Sequence, residues 1–152
     1  MAGSRSMVSR TGRNNQRYGP NGERLVAGVV PLSEDKYYVL LVQSTRRGAW
    51  VLPKGGWETD EATAAEAAQR EAWEEAGITC RINYDLGKIP EVKEGKVKAE
   101  YNFFEATVER QESQWPEMHK RQRMWMTFAQ AEAALAERPE LLAALRACTM
   151  KR

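Results

Sequence analysis

Glu71, Glu74 and Glu75 stand at i, i+3 and i+4 in the stretch from Gly55 to Ile78, GGWETDEATAAEAAQREAWEEAGI. On a helix that spacing stacks three carboxylates on one face, with Cβ atoms roughly 5–6 Å apart. Like charges so placed repel, and the arrangement asks for a counter-charge. Hard carboxylate oxygens suit Mg²⁺, a cation that keeps waters and recruits phosphate oxygens as further ligands. A solvated, Glu-rich helix face has the same spacing, so the carboxylates alone leave both readings open.

The elements that must position these groups follow from the surrounding residues. Small side chains at Ala64, Ala68, Ala72 and Ala76 would let a helix over Glu61–Ala76 pack closely on a sheet, and Gly77 is a natural stop. Gly55-Gly56 offers a flexible turn before it, with Thr59-Asp60 as a cap. Upstream, Leu25–Pro31 and Lys36–Gln43 read as buried strands joined by a turn at Ser33-Glu34-Asp35, and Trp50–Leu52 as a short third strand. Downstream, Thr79–Ile89 reads as extended and Pro90–Gly95 as a charged loop. Lys96–Glu109 alternates as a long strand, and Met124–Phe128 is a last strand. Thr127 would cap a helix over Phe128–Glu137, and Pro139–Cys148 would form a closing helix. Strands interleaved with a few helices predict an α/β fold, an α/β/α sandwich. The 152 residues fit one domain, residues 23–149, behind a basic arm over residues 1–22 expected to be mobile or irregular.

Composition narrows the partners. No apolar run approaches the roughly 18 residues of a membrane span. The two cysteines, Cys80 and Cys148, lack metal-type spacing and suggest reduced packing residues in the cytosol or nucleus. The net charge of +2 hides a segregation, because residues 58–75 hold seven acids and one base, Arg70. Bases gather instead at Arg5–Arg24, Arg46-Arg47, Lys93–Lys98 and His119–Arg123. An acidic metal helix ringed by basic segments fits a polyanionic substrate that travels with a metal. The expected partner is a polyphosphorylated small molecule met by a monomer. A nucleic-acid patch would look similar, but the tryptophans fall mostly in strands and helices.

Arg70 to Ile78, REAWEEAGI, resembles the end of the Nudix box, G-x5-E-x7-R-E-U-x-E-E-x-G-U with U apolar. At the front the chain departs from the pattern: counting from Gly55 finds Glu61, while counting back from Arg70 finds Ala62. One extra residue in the turn would reconcile the two and place Glu61 near the positive end of the helix; without it, Ala62 replaces the glutamate and Glu61 is ordinary surface. The resemblance reaches further, to fungal diphosphoinositol polyphosphate phosphohydrolases, a Nudix branch that also cleaves diadenosine polyphosphates. It is carried by Arg13-Asn14-Asn15-Gln16, Gly22–Gly28, Trp50–Gly56, Pro116–Arg123 and Arg138–Leu142. It implies the Nudix-type α/β/α sandwich with a mixed sheet, and Mg²⁺- or Mn²⁺-dependent hydrolysis of phosphoanhydrides, inorganic polyphosphate among them. Glu71 and Glu75 would be ligands, with the Lys54 or Gly55 carbonyl completing the site; Glu74, also among the metal-site carboxylates, would be the general base, a role it could trade with Glu75. Arg70 would orient the glutamates. Phosphate contacts are expected from Arg24, Ser44, Thr45, Arg46, Lys54, Gly55, Gly56, Lys98, His119, Lys120, Arg121 and Arg123. The rivals are another Nudix substrate, such as capped RNA, and a noncatalytic binding module.

Overall fold

The computed structural model describes residues 5–46 and 48–152. Arg47, grouped above with Arg46, lies outside the described residues. Four strands lead to the glutamate helix: β1 (Arg24–Leu32), β2 (Val39–Gln43), β3 (Trp50–Val51) and β4 (Lys54–Gly56), followed by α1 (Ala64–Ala76). Then come β5 (Ile78–Lys93), β6 (Lys96–Gln111), β7 (Arg123–Met126), α2 (Phe128–Ala134) and α3 (Pro139–Ala147). The sheet runs in the order β3-β2-β1-β6-β5, with β4 paired to β1 and β7 to β2. It is mixed, because β1 and β6 pair in parallel from Arg24↔Ala99 to Leu32↔Thr107 while the other pairings are antiparallel. Helix α1 packs on β1 and β4, and α2 and α3 close over β2, β7 and β5, giving the α/β/α sandwich. Phe103, Leu40, Leu41, Ile78, Leu135 and Leu141 are fully buried between these layers.

Local chemistry moves several boundaries from where the sequence pattern put them. Helix α1 starts at Ala64 rather than Glu61, because Thr63 is extended and its Oγ1 accepts from Glu66 N. Pro90–Gly95 is not a loop. The strands run on to Lys93 and Lys96, and the two-residue turn is Glu94-Gly95, both at positive φ. That geometry matches the twist of a hairpin, so a short charged turn replaces the expected loop. Strand β4, Lys-Gly-Gly, has no strand composition, yet it pairs with Val26, Ala27 and Gly28 of β1.

Residues 5–22 of the basic lead-in are irregular and docked against the domain, and residues 1–4 lie outside the described residues. Gln16 bridges to Glu58, Tyr18 to Arg24, and the Arg17 guanidinium lies 4.4 Å from the Trp57 ring centroid. Nearer the start, Ser6 O accepts from Trp73 Nε1 at 2.9 Å and Ser9 Oγ donates to Glu117 at 2.7 Å. Polar contacts hold this segment, which is why its lack of apolar residues reads as mobility.

At the other end of the chain, Glu105 is fully buried on β6. Its carboxylate accepts from the Thr149 backbone N and Oγ1, each at 2.7 Å, and lies 3.5 Å from Lys36 Nζ. It ties the segment after α3 to the sheet. Glu105→Ala strands these donors and is expected to cost about 1–3 kcal/mol, a Tm loss of roughly 2–4 °C per kcal/mol. Urea and thermal unfolding measure this, and turnover per folded molecule should stay unchanged.

Candidate active site

Burial separates the two readings of the glutamates. Glu71, Glu74 and Glu75 are 7%, 4% and 7% exposed, so they do not form a solvated acidic face. Charges taken out of water need partners, and the Arg70 guanidinium supplies most of them. Its Nη1 donates to Glu71 at 2.9 Å and Glu74 at 3.3 Å, its Nη2 to Gly56 O at 2.9 Å, and Nε and Nη2 to Glu61 at 2.8 and 3.0 Å. Burial lowers the Arg70 pKa, but the Glu61 hydrogen bonds and the charges of Glu71, Glu61 and Glu74 outweigh it and the net shift is upward.

The compensation is incomplete. Burial, and next the charge of Glu75, push the Glu71 carboxyl well above the usual range. Burial also raises Glu74, against the pull of Arg70, and raises Glu75 to about 7. Glu75 is held by the Lys54 backbone N at 3.1 Å and by Arg121 Nη2 at 3.5 Å. The C-terminal end of α1 is fixed by its loops. Gly77 closes it at φ 66°, Trp115 Nε1 donates to Glu75 O, and Arg123 Nη1 donates to Ala76 O.

Glu61 lies ahead of α1, buried, with Oε1 also accepting from Glu58 N, whereas Ala62 is exposed. The extra residue is therefore absorbed in the turn, and Glu61 faces Arg70 rather than the helix N-terminus. Among the described residues, the acidic trio with oxygens within 4.8 Å of one another is Glu58, Asp60 and Glu61, not the trio on the helix. Arg10 bonds Glu58 and Asp60, and Arg70 bonds Glu61, so these charges are already matched. The helix trio keeps uncompensated charge. Its oxygens suit a hard divalent cation, and a Cβ at Gly55 would run into the Glu71 carboxylate, so only glycine lets the backbone come this close. The residues present fit the metal.

Beside Glu75 opens a cavity of about 290 Å³ lined by Arg13, Arg24, Ser44, Thr45, Arg46, Val51, Lys54, Glu75, Arg121 and Arg138. It gathers Arg24, the Ser44–Arg46 turn, Lys54 and Arg121, all expected from the sequence. Burial lowers the Lys54 pKa, and burial and then Arg13 lower that of Arg24, as expected where cations crowd. Six expected contacts do not line it. Lys98 lines a separate cleft with Asn21, Gly22, Lys96 and Val97, because side chains alternate along β6 and its neighbour Ala99 takes the inward face. His119 and Lys120 are exposed and outside the cavity. Arg123 stacks 4.0 Å from the Trp115 centroid and donates to Ala76 O and Glu112 O, a structural clamp. Gly55 and Gly56 shape the strand under the site without lining the cavity. Trp57 also stays out, its Nε1 bonded to Glu61 O.

Residues missed by sequence reasoning are Arg13 and Arg138, on the cavity wall, and Glu117, whose Oε1 accepts from Arg121 Nε at 2.7 Å. Both arginines stood inside stretches that carried the resemblance. Position there was the available signal, because nothing in their immediate neighbours marks them.

The NUDIX domain model matches residues 22–146. The chain is similar to Nudix hydrolase 18, mitochondrial, of Arabidopsis thaliana, 39% identical over 138 residues, covering 84% of this chain and 77% of that protein. It is similar to Nudix hydrolase 21, chloroplastic, of the same plant at 41% over 133 residues, covering 83% and 67%. Two solved structures share the fold. A NUDIX hydrolase from Nitrosomonas europaea superposes at TM-score 0.69 with 20% identity, covering 82% of this chain and 87% of that one. A C. elegans Ap4A hydrolase in a binary complex gives 0.64 with 24% identity, covering 81% and 93%.

Two measurements check this geometry. With its pKa raised in the fold, Glu71 holds its proton more tightly in the native state than in the unfolded chain. That contribution is present below the ordinary value of 4.5 and is lost as pH rises through the folded value. In chelator, Glu71→Gln should therefore match wild type in Tm near about pH 4 and exceed it near about pH 8. Saturating Mg²⁺ at the higher pH should raise wild type more than the variant. Separately, Arg123→Ala should lower Tm and leave KM unchanged, whereas Arg121→Ala should raise KM.

Proposed function

The chain belongs to the Nudix hydrolase family, and from that premise we propose that it hydrolyses phosphoanhydride bonds of diphosphoinositol polyphosphates and diadenosine polyphosphates, using Mg²⁺ or Mn²⁺. The observation that carries this reading is the cavity, where six cationic side chains and two hydroxyls meet at Glu75. So many cations fit a ligand with many phosphates, and guanidinium groups suit bidentate phosphate contacts. Among the described residues that line the cavity there is no aromatic ring to clamp a nucleobase. Phosphate number, rather than base identity, is then what it reads. A compact inositol polyphosphate fills the cluster, and a linear polyphosphate chain threads it. Inorganic polyphosphate fits the same cations.

Glu71 and Glu75, with the Lys54 or Gly55 carbonyl, would hold the metal. When bound, the cation supplies Lewis acidity, absorbing charge from phosphate oxygens and lowering the pKa of water. The protein's own groups do the rest. Arg24, Arg13, Arg46 and Arg138 bind the phosphates that are not cleaved, and Ser44 and Thr45 donate hydroxyls to them. Arg70 holds the Glu74 carboxylate at Oε1, and that carboxylate takes the proton of the attacking water. The Lys54 backbone N and Arg121 keep Glu75 aimed between helix and cavity. The buried thiols of Cys80 and Cys148 fit a reducing compartment such as cytosol or nucleus. The organelles in the plant proteins' names belong to those relatives. Among the described residues no helix is long and apolar enough to cross a membrane.

A panel of diphosphoinositol polyphosphate, diadenosine hexaphosphate, inorganic polyphosphate and capped RNA, each with Mg²⁺ or Mn²⁺, tests the substrate. Turnover is expected on the first two, and capped RNA consumed with both of those untouched would overturn the reading. Glu74→Gln and Glu75→Gln should each cost about 10²-fold or more in turnover without loss of fold. Wild-type rates in both variants would remove the glutamates from the chemistry.

A further inference from the structure

We propose that Gln16 is a positioning residue that holds Arg24 in the anion cavity, which makes the segment ahead of the matched domain part of the site. The inference rests on the cavity being the polyphosphate site. Gln16 lies six residues before the matched domain begins, in the irregular lead-in, yet it is 8% exposed. Its Nε2 donates to Arg17 O at 2.7 Å and Leu25 O at 2.9 Å, with Trp57 O at 3.5 Å. Its two N–H groups thereby fix the amide to the lead-in and the start of β1, close to the turn after β4. That leaves Oε1 aimed in one direction, and it accepts from Arg24 Nε at 3.3 Å and Nη2 at 3.2 Å. The space for it exists because position 56 is glycine, where a Cβ would collide with that same oxygen.

The neutrality of the acceptor matters. A carboxylate at this position would hold Arg24 as well but would cancel its charge before any ligand arrived. The amide orients the guanidinium and leaves the full positive charge available, and Arg24 has Arg13 as its strongest charged neighbour. An arginine held beside another cation, by a neutral group, is poised for an anion that contacts both. An unanchored Arg24 would swing away from Arg13 and lose that preorganisation.

Gln16→Ala, Gln16→Met, Arg24→Ala and the double variants test this in the full chain. Affinity for inositol hexakisphosphate is read by calorimetry, KM and kcat by turnover, and Tm by thermal unfolding. Gln16→Met keeps the volume and removes the polar contacts. Both Gln16 variants should weaken binding and raise KM about tenfold, the size of one oriented hydrogen bond to a charged group, with kcat nearly unchanged. In the Arg24→Ala background neither should weaken binding further. Losses that multiply in the double variants, wild-type affinity in Gln16→Met, or loss of the fold in both Gln16 variants would each overturn the inference. Wild type that turns over the substrate but ignores inositol hexakisphosphate would overturn the cavity assignment instead, and Gln16 with it.

Discussion

One guanidinium holds the site together. Arg70 is the lone base in an acidic stretch, and its donors reach Glu61, Glu71, Glu74 and the Gly56 carbonyl. Each carboxylate it touches is buried, and a buried carboxylate without a partner is costly enough to protonate or to force the helix off the sheet. A lysine could not replace it, because a point charge lacks the planar fork that reaches four groups at once. The same fork also joins separate pieces of chain: the β4 backbone, the turn before α1, and two successive turns of α1. Through Arg70 the glutamates acquire one fixed arrangement.

Around that hub the backbone is drawn in tightly, and glycines permit it. A side chain at Gly55 would enter the Glu71 carboxylate, and one at Gly28 would meet Phe103, Lys54 and the Pro53 carbonyl. Strand β4 therefore owes its position to contact with α1 and β1, with little strand propensity of its own. It carries the Lys54 N–H to Glu75 and the Gly56 carbonyl to Arg70, so the hydrogen bonds that order it are the ones that order the site.

That origin explains what could be read from sequence. The glutamate spacing, the alanine face, the glycine stop and the main strands are written in local periodicity and are found in place. The start of α1 depends on which of several capping residues takes the role, and Thr63 does so instead of Thr59 or Asp60. The path of β5 is hidden by register shifts, which break its alternation between Thr79 and Val92. A run of bases such as His119–Arg123 looks like one patch, but successive side chains there diverge. Arg121 turns to Glu75 and Glu117, Arg123 to the end of α1, and His119 and Lys120 to solvent. Composition reveals that cations are present, and only the fold decides which of them face the same space.

Glu75 is where the two halves of the charge distribution meet. It belongs to the buried carboxylates of α1, and it also lines the cavity of cations. On the helix side, burial and then the charge of Glu75 raise the Glu71 pKa, and on the cavity side burial and then the charge of Arg13 lower that of Arg24. Each half is strained when considered alone, and their partial mutual compensation passes through Glu75, bonded by Lys54 N and Arg121. Folding by itself does not require such an arrangement, since neutral residues would pack in both places at lower cost. Under the proposed function, a polyanion entering with a divalent cation would relieve both strains at once, the anion among the arginines and the cation among the glutamates. Local rules broken together, on adjoining surfaces and with opposite sign, point to a ligand that carries both charges.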